Sequence, residues 1–167
     1  MTTAPTHLKH GYSTIQIAIH WTVAAVVVAN LLLGGAMSRV FHARQAGQEI
    51  DSLGAAYIHI IVGASIFLLM VARLAGRLQR PVATNPDSPH RLLALLGRIN
   101  HWAFYGILLV LPILGALAWF GGSEAAGSLH GLLVYVLLAA MALHVGAVIV
   151  HHLFLRENLI RRMVRPT

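Results

Sequence analysis

Residues 129–155 read LHGLLVYVLLAAMALHVGAVIVHHLFL, a run with no acidic residue, lysine or arginine. A hydrocarbon core of about 30 Å needs about 20 helical residues at 1.5 Å each, so the run is long enough to cross a bilayer. Backbone N–H and C=O groups find no water there and must pair within the segment, which makes it a helix. His130 and His144 are 14 residues apart, close to a whole number of turns. Both imidazoles therefore lie on one face, about 21 Å apart along the axis. A histidine inside lipid needs a partner or a function, and this helix needs one at two depths.

Three further runs, 15–37, 53–76 and 99–120, meet the same length criterion. The expected fold is an all-α, integral membrane, up-and-down four-helix bundle, with residues 1–167 forming a single membrane domain. Composition agrees: 57% of residues are apolar, 10% are charged, and the mean hydropathy is +0.73. The formal charge of +7 comes from residues that flank the apolar runs and form no stripe, which argues for lipid headgroups as partners and against nucleic acid. With no cysteine, disulfides, iron–sulfur clusters, thiolate zinc sites and c-type haem attachment are excluded.

Breaks and charges set the topology. Pro81, Asn85, Pro86 and Asp87 mark residues 80–89 as a loop, and the first run is too long to read as a cleaved signal peptide. Lys9, Arg73, Arg77, Arg80, Arg91, Arg98, Arg156, Arg161, Arg162 and Arg165 fall on one side of the bundle, and only Arg39 and Arg44 on the other. The excess of basic residues in cytoplasmic segments then places both termini and the second loop in the cytoplasm. Glu49, Asp51 and Glu124 face outward. Gly63, Gly106, Gly115, Gly131 and Gly146 would allow close approach of helices or of a flat ligand, and Pro112 is expected to kink the third helix.

Seven histidines lie within or at the ends of the runs: His20, His59, His101, His130, His144, His151 and His152. Antiparallel counting puts His20 and His144 at one depth, near the cytoplasm, and His59 and His130 at another, near the outside. Two imidazoles at each of two depths match the axial needs of two six-coordinate haems, whereas zinc wants four ligands at one place. His101 lies near the cytoplasmic start of the third helix. It competes as a ligand, and its other readings are a hydrogen bond to a haem propionate or a packing role. His151 shares the face of His144 about 10 Å nearer the cytoplasm, where it either contacts a quinone headgroup or bonds to lipid. His152 reads as interfacial. Arg73 is placed to pair with a propionate. Trp21, Trp102 and Trp119 fall near run ends, as an aromatic belt would.

The chain also resembles a known family. The carrying motifs are Ser13-Thr14-Ile15-Gln16-Ile17-Ala18-Ile19-His20-Trp21, Tyr57-Ile58-His59 with Leu69-Met70-Val71-Ala72-Arg73-Leu74, and Asn100-His101-Trp102 with Leu111-Pro112-Ile113-Leu114-Gly115. The last helix adds Leu129-His130-Gly131, Leu143-His144-Val145 and His151-His152-Leu153-Phe154. In order and spacing these are similar to the bacterial cytochrome b561 group of four-helix di-haem membrane cytochromes, from about residue 12 to 162. The resemblance implies two haem b groups, one held by His20 and His144 on the cytoplasmic side and one by His59 and His130 on the outer side. It further implies a bacterial inner-membrane oxidoreductase passing electrons between a periplasmic partner and the ubiquinone pool, with superoxide as one donor known in the family. The connection 121–128 is short, which leaves Arg39, His42 and Arg44 in the first outer loop to supply a basic outer site.

The expected function is therefore transfer of electrons from a periplasmic donor, superoxide among the candidates, through the two histidine layers to ubiquinone. Two readings stand beside it. One is an electron-transfer subunit of a partner dehydrogenase or hydrogenase. The other is a haem-free membrane transporter of protons or metal.

Overall fold

In a computed structural model, residues 12–50, 52–79, 91–155 and 159–164 are described. The loop signals at 80–89, together with Lys9, Asp51, Arg156 and Arg165, lie outside them, as do the side chains of Arg91 and Arg162. The described residues form four long helices, α1 (Thr14–Gln45), α2 (Gly54–Gln79), α3 (Arg91–Gly121) and α4 (Glu124–Leu153), and one turn of helix, α5 (Leu159–Arg162). All four long helices are apolar and long enough to span a membrane. The protein is an all-α membrane bundle.

Local chemistry fixes where the helices begin and end. Ser13 starts α1 with a capping box: its Oγ accepts from the Gln16 N–H at 3.3 Å and the Gln16 Oε1 accepts from the Ser13 N–H at 3.0 Å. The end of α1 is a Schellman turn, with Gln48 N–H donating to the Ala43 carbonyl, Gly47 N–H to that of Arg44, and Gly47 at φ +64°. Ser123 caps α4 by accepting from the Ala126 N–H at 3.2 Å, and Glu124 in the first turn complements the helix dipole.

Three expected boundaries are corrected. Residues 38–45 continue α1, so Arg39, His42 and Arg44 ride its last two turns and do not belong to a loop. Residues 91–98 extend α3 toward the terminal face, and residues 124–128 belong to α4. Only Gly122 and Ser123 separate α3 from α4. In α1 and α4 the polar residues that suggested a loop form a helical segment projecting past the apolar span, while in α3 the added residues between Arg91 and Arg98 are mostly leucine. α3 runs on through Pro112, whose missing N–H leaves the Leu108 carbonyl without its helical donor.

Packing is sequential: α1 lies on α2, α2 on α3 and α3 on α4. α1 and α4 approach more sparingly, at Phe41 against Gly127 and through the facing rings of His20 and His144. The up-and-down course is visible at both ends. Trp21 near the start of α1 donates its indole N–H to the Met163 carbonyl at 2.8 Å, and Gln45 at the end of α1 donates to the Gly122 carbonyl at 3.5 Å. The first end is called the terminal face and the second the loop face. Between them sits an apolar core of Val23, Val27, Ile66, Met70, Tyr105, Ile107, Leu108, Leu111 and Leu137. Outward residues such as Leu32, 81% exposed, and Tyr135, 73% exposed, have lipid as their natural cover.

Candidate functional site

Two histidine pairs face each other across the bundle. His20 of α1 and His144 of α4 have ring centroids 6.5 Å apart with planes at 58°. His59 of α2 and His130 of α4 are 6.3 Å apart at 63°. Leu137 lies midway between His130 and His144 and belongs to the apolar core, so the two pairs are layers on either side of it, about 21 Å apart by helical rise. Among the described residues no three or more histidine, cysteine, aspartate or glutamate side chains converge as a metal cage.

The ring spacing tests the fit to a haem. Metal–imidazole bonds of about 2 Å on opposite sides of one iron put the ring centroids a little over 6 Å apart. Both pairs meet that spacing, and both rings of each pair are half-buried. The donor set, two neutral nitrogens at each layer, suits haem iron.

The loop-face layer is braced through α3. His130 Nδ1 lies 2.9 Å from the Leu111 carbonyl, a contact in which the ring must be the donor, leaving Nε2 as the free lone pair. Gly115 makes room: a Cβ there would stand 3.4 Å from Cε1 and Nδ1 of His130. Sequence reading selected His130 and Gly115 separately and missed the carbonyl that orients the ring, because a bond between residues 19 apart leaves no mark in local pattern. Gly63 meets the Asn30 amide, while Gly106, Gly131 and Gly146 meet no neighbour within 4 Å. Close helix approach does not depend on those three.

The terminal-face layer is crowded and cationic. His101 Nδ1 donates to the Gly97 carbonyl at 2.6 Å, and its ring stands edge-on to His144 at 5.2 Å. That spacing is too short for an iron between the two. Phe104 packs on the other flank of His144 at 5.6 Å. The Arg73 guanidinium is near enough to act electrostatically on His20, His101 and His144. Arg77 stacks over Trp102 and Tyr105 at 5.5 and 5.8 Å and also acts on His101. Asn100 donates to the Ala140 carbonyl at 3.3 Å, tying α3 to α4 one turn before His144. Arg77, Phe104 and Asn100 were not singled out for this layer from sequence, although Arg77 follows Arg73 by one turn and Asn100 adjoins His101. His151 is half-buried on the last turn of α4, and His152 is exposed.

The three basic residues at the end of α1 do not form one cluster. Arg39 and His42, one turn apart, line an open cleft of about 550 Å³ with Ser38, Ala43, Ala46 and Gln48. Arg44 turns the other way. Its guanidinium lies 4.7 Å over the Trp119 ring and donates to the Trp119 carbonyl at 3.2 Å. With Ile50, Leu53, Tyr57, Trp119 and Phe120 it lines a second cleft of about 450 Å³. Trp119 is 5% exposed, which corrects its expected place in a lipid-facing belt. Trp21 and Trp102, about half exposed, keep that reading.

A four-helix membrane bundle with an imidazole pair at each of two depths defines the class of membrane cytochromes. The chain belongs to the prokaryotic cytochrome b561 family, whose model matches residues 11–166. It is similar to cytochrome b562 of Cereibacter sphaeroides, at 30% identity over 93% of this chain and 96% of that one. It is also similar to a probable superoxide oxidase CybB of Yersinia pestis, at 26% identity over 92% and 95% of the two chains. The protein is thus a bacterial multi-pass membrane b-type cytochrome of electron transfer, and a haem-free transporter is set aside.

Proposed function

We propose that this chain is a di-haem oxidoreductase of the bacterial inner membrane that takes single electrons at the loop face and delivers them to ubiquinone. The observation that carries the reading is the pair of facing imidazoles at each of two layers, at ring spacings of 6.5 and 6.3 Å. His20 with His144, and His59 with His130, would hold the two haem b groups, which supply reversible one-electron chemistry when bound. The chain's own residues do the rest. Leu111 and Gly115 orient His130, while Arg73, with Arg77 and His101 nearby, offers charge and hydrogen bonds for propionates at the terminal face. The apolar core keeps water from the space between the layers.

With the termini cytoplasmic, the loop face is periplasmic. There Arg39 and Arg44 create a positive field that would steer a small anion toward the clefts, and the Arg44 cleft is lined by Tyr57, two residues before His59. Superoxide fits: loss of one electron gives dioxygen without a proton, and two such electrons with two protons convert ubiquinone to ubiquinol. His151, half-buried beyond His144, is the candidate contact for the quinone headgroup. The two-residue link between α3 and α4 builds no platform for a docked dehydrogenase, which favours a self-sufficient enzyme over a partner's subunit. In proteoliposomes containing ubiquinone, enzymatically generated superoxide should drive ubiquinol formation by the parent protein, and His59→Ala should lower the rate at least tenfold. An unchanged rate in that variant would show that the electrons do not pass the loop-face layer.

A further inference from the structure

Among the described residues, two buried side-chain polar atoms lack a hydrogen-bond partner, and they belong to neighbours: Oδ1 of Asn30 on α1 and Nδ1 of His59 on α2. The Asn30 backbone carbonyl also acts on the His59 ring as a hydrogen-bond acceptor, although Nδ1 itself has no partner at good hydrogen-bond geometry. The Asn30 amide nitrogen lies 3.6 Å from the point a Cβ on Gly63 would occupy, and Gly63 follows His59 by one turn on the same face of α2. Depth agrees. Asn30 is about 15 Å along α1 from His20, and the layers are about 21 Å apart, so the carboxamide sits one turn short of the loop-face pair, level with Gly63.

A carboxamide in the middle of a membrane span is costly unless it is bonded. A ligating imidazole usually donates its second N–H to an oxygen that fixes its tautomer and raises its basicity. His130 has that oxygen in the Leu111 carbonyl; His59 has an orphaned donor, and Asn30 an orphaned acceptor. We propose that Asn30 is a positioning residue for His59: its side-chain oxygen accepts the Nδ1 proton, which commits Nε2 to the space shared with His130. This rests on His59 being an axial ligand. The two ligands of the loop-face layer then differ in their support, His130 on a helix backbone and His59 on a side chain that can be replaced.

The test is potentiometric titration of both haems in the detergent-solubilised protein, for the parent and for Asn30→Leu, Asn30→Asp and His59→Ala. Asn30→Leu removes the acceptor at similar volume, makes His59 less basic and stabilises the ferric state less. The loop-face haem should rise in potential by about a tenfold change in its ferric-to-ferrous ratio, 59 mV for one electron, while the terminal-face haem stays put. Asn30→Asp, which keeps an acceptor, should hold or lower that potential; loss of the loop-face haem in Asn30→Leu with its retention in Asn30→Asp supports the same bond. An unshifted loop-face haem in Asn30→Leu, or equal shifts of both haems, would overturn the proposal. The ligand reading fails separately, if His59→Ala still binds two haems.

Discussion

The two histidine layers have nearly the same ring spacing, 6.3 Å at the loop face and 6.5 Å at the terminal face, in different surroundings. At the loop face the support is steric and neutral: a backbone carbonyl on His130, a glycine beside its ring, and Asn30 near His59. At the terminal face it is cationic and aromatic: Arg73 and Arg77, with His101 and Phe104 against His144. Equal spacing with unequal polarity suggests one ligand chemistry at two potentials. Positive charge stabilises the reduced state of a bound iron, so the terminal-face layer should be the better electron acceptor. That gradient would point electrons toward the terminal face.

The comparison breaks most sharply at Gly115. Replacing it by leucine drives a branched side chain into the His130 ring, 3.4 Å from where its Cβ would lie. The loop-face haem should fall to well under half occupancy while the terminal-face haem is retained, as read by the visible spectrum and haem content per chain. Arg73→Met should sharpen the comparison. Removing that cation should lower the terminal-face potential by an equivalent of about 1 kcal/mol, for a half-buried charge, and leave the other layer within error in the same redox titration. The smallest effect is expected outside both layers. Gly127→Ala puts a Cβ 3.0 Å from the Phe41 ring where α1 meets α4. It should cost about 1 kcal/mol of packing and lower the melting midpoint by about 2–4 °C, with an unchanged haem spectrum.

The layers were legible in the sequence because a period and a depth defined them. His130 and His144 share a face by helical arithmetic, and antiparallel counting assigns each a level that His59 and His20 match. The apolar runs were legible for the same reason, since lipid demands their length. Helix ends were not, because the residues of α1 and α4 turn polar beyond the apolar runs and look like loop, and in α3 Gly97 and Arg98 interrupt a helix that continues through leucines back to Arg91. The split of Arg44 from Arg39 and His42 follows from the same miss: residues two apart on a helix point to opposite sides, while in a loop they were free to cluster. The contacts that tune each layer, such as Leu111 to His130, Asn100 to Ala140 and Arg44 to Trp119, join residues 19 to 75 apart. They are consequences of packing, and no local pattern announces them.

The central claim is that each layer holds its own haem, and counting haems tests it most directly. Haem should be quantified per chain, with a reduced-minus-oxidised spectrum, for the purified parent, His59→Ala and His144→Ala. Two b-type haems in the parent and one in each variant, with different potentials for the two that remain, is the predicted result. A single haem in the parent, or two retained in both variants, would contradict it.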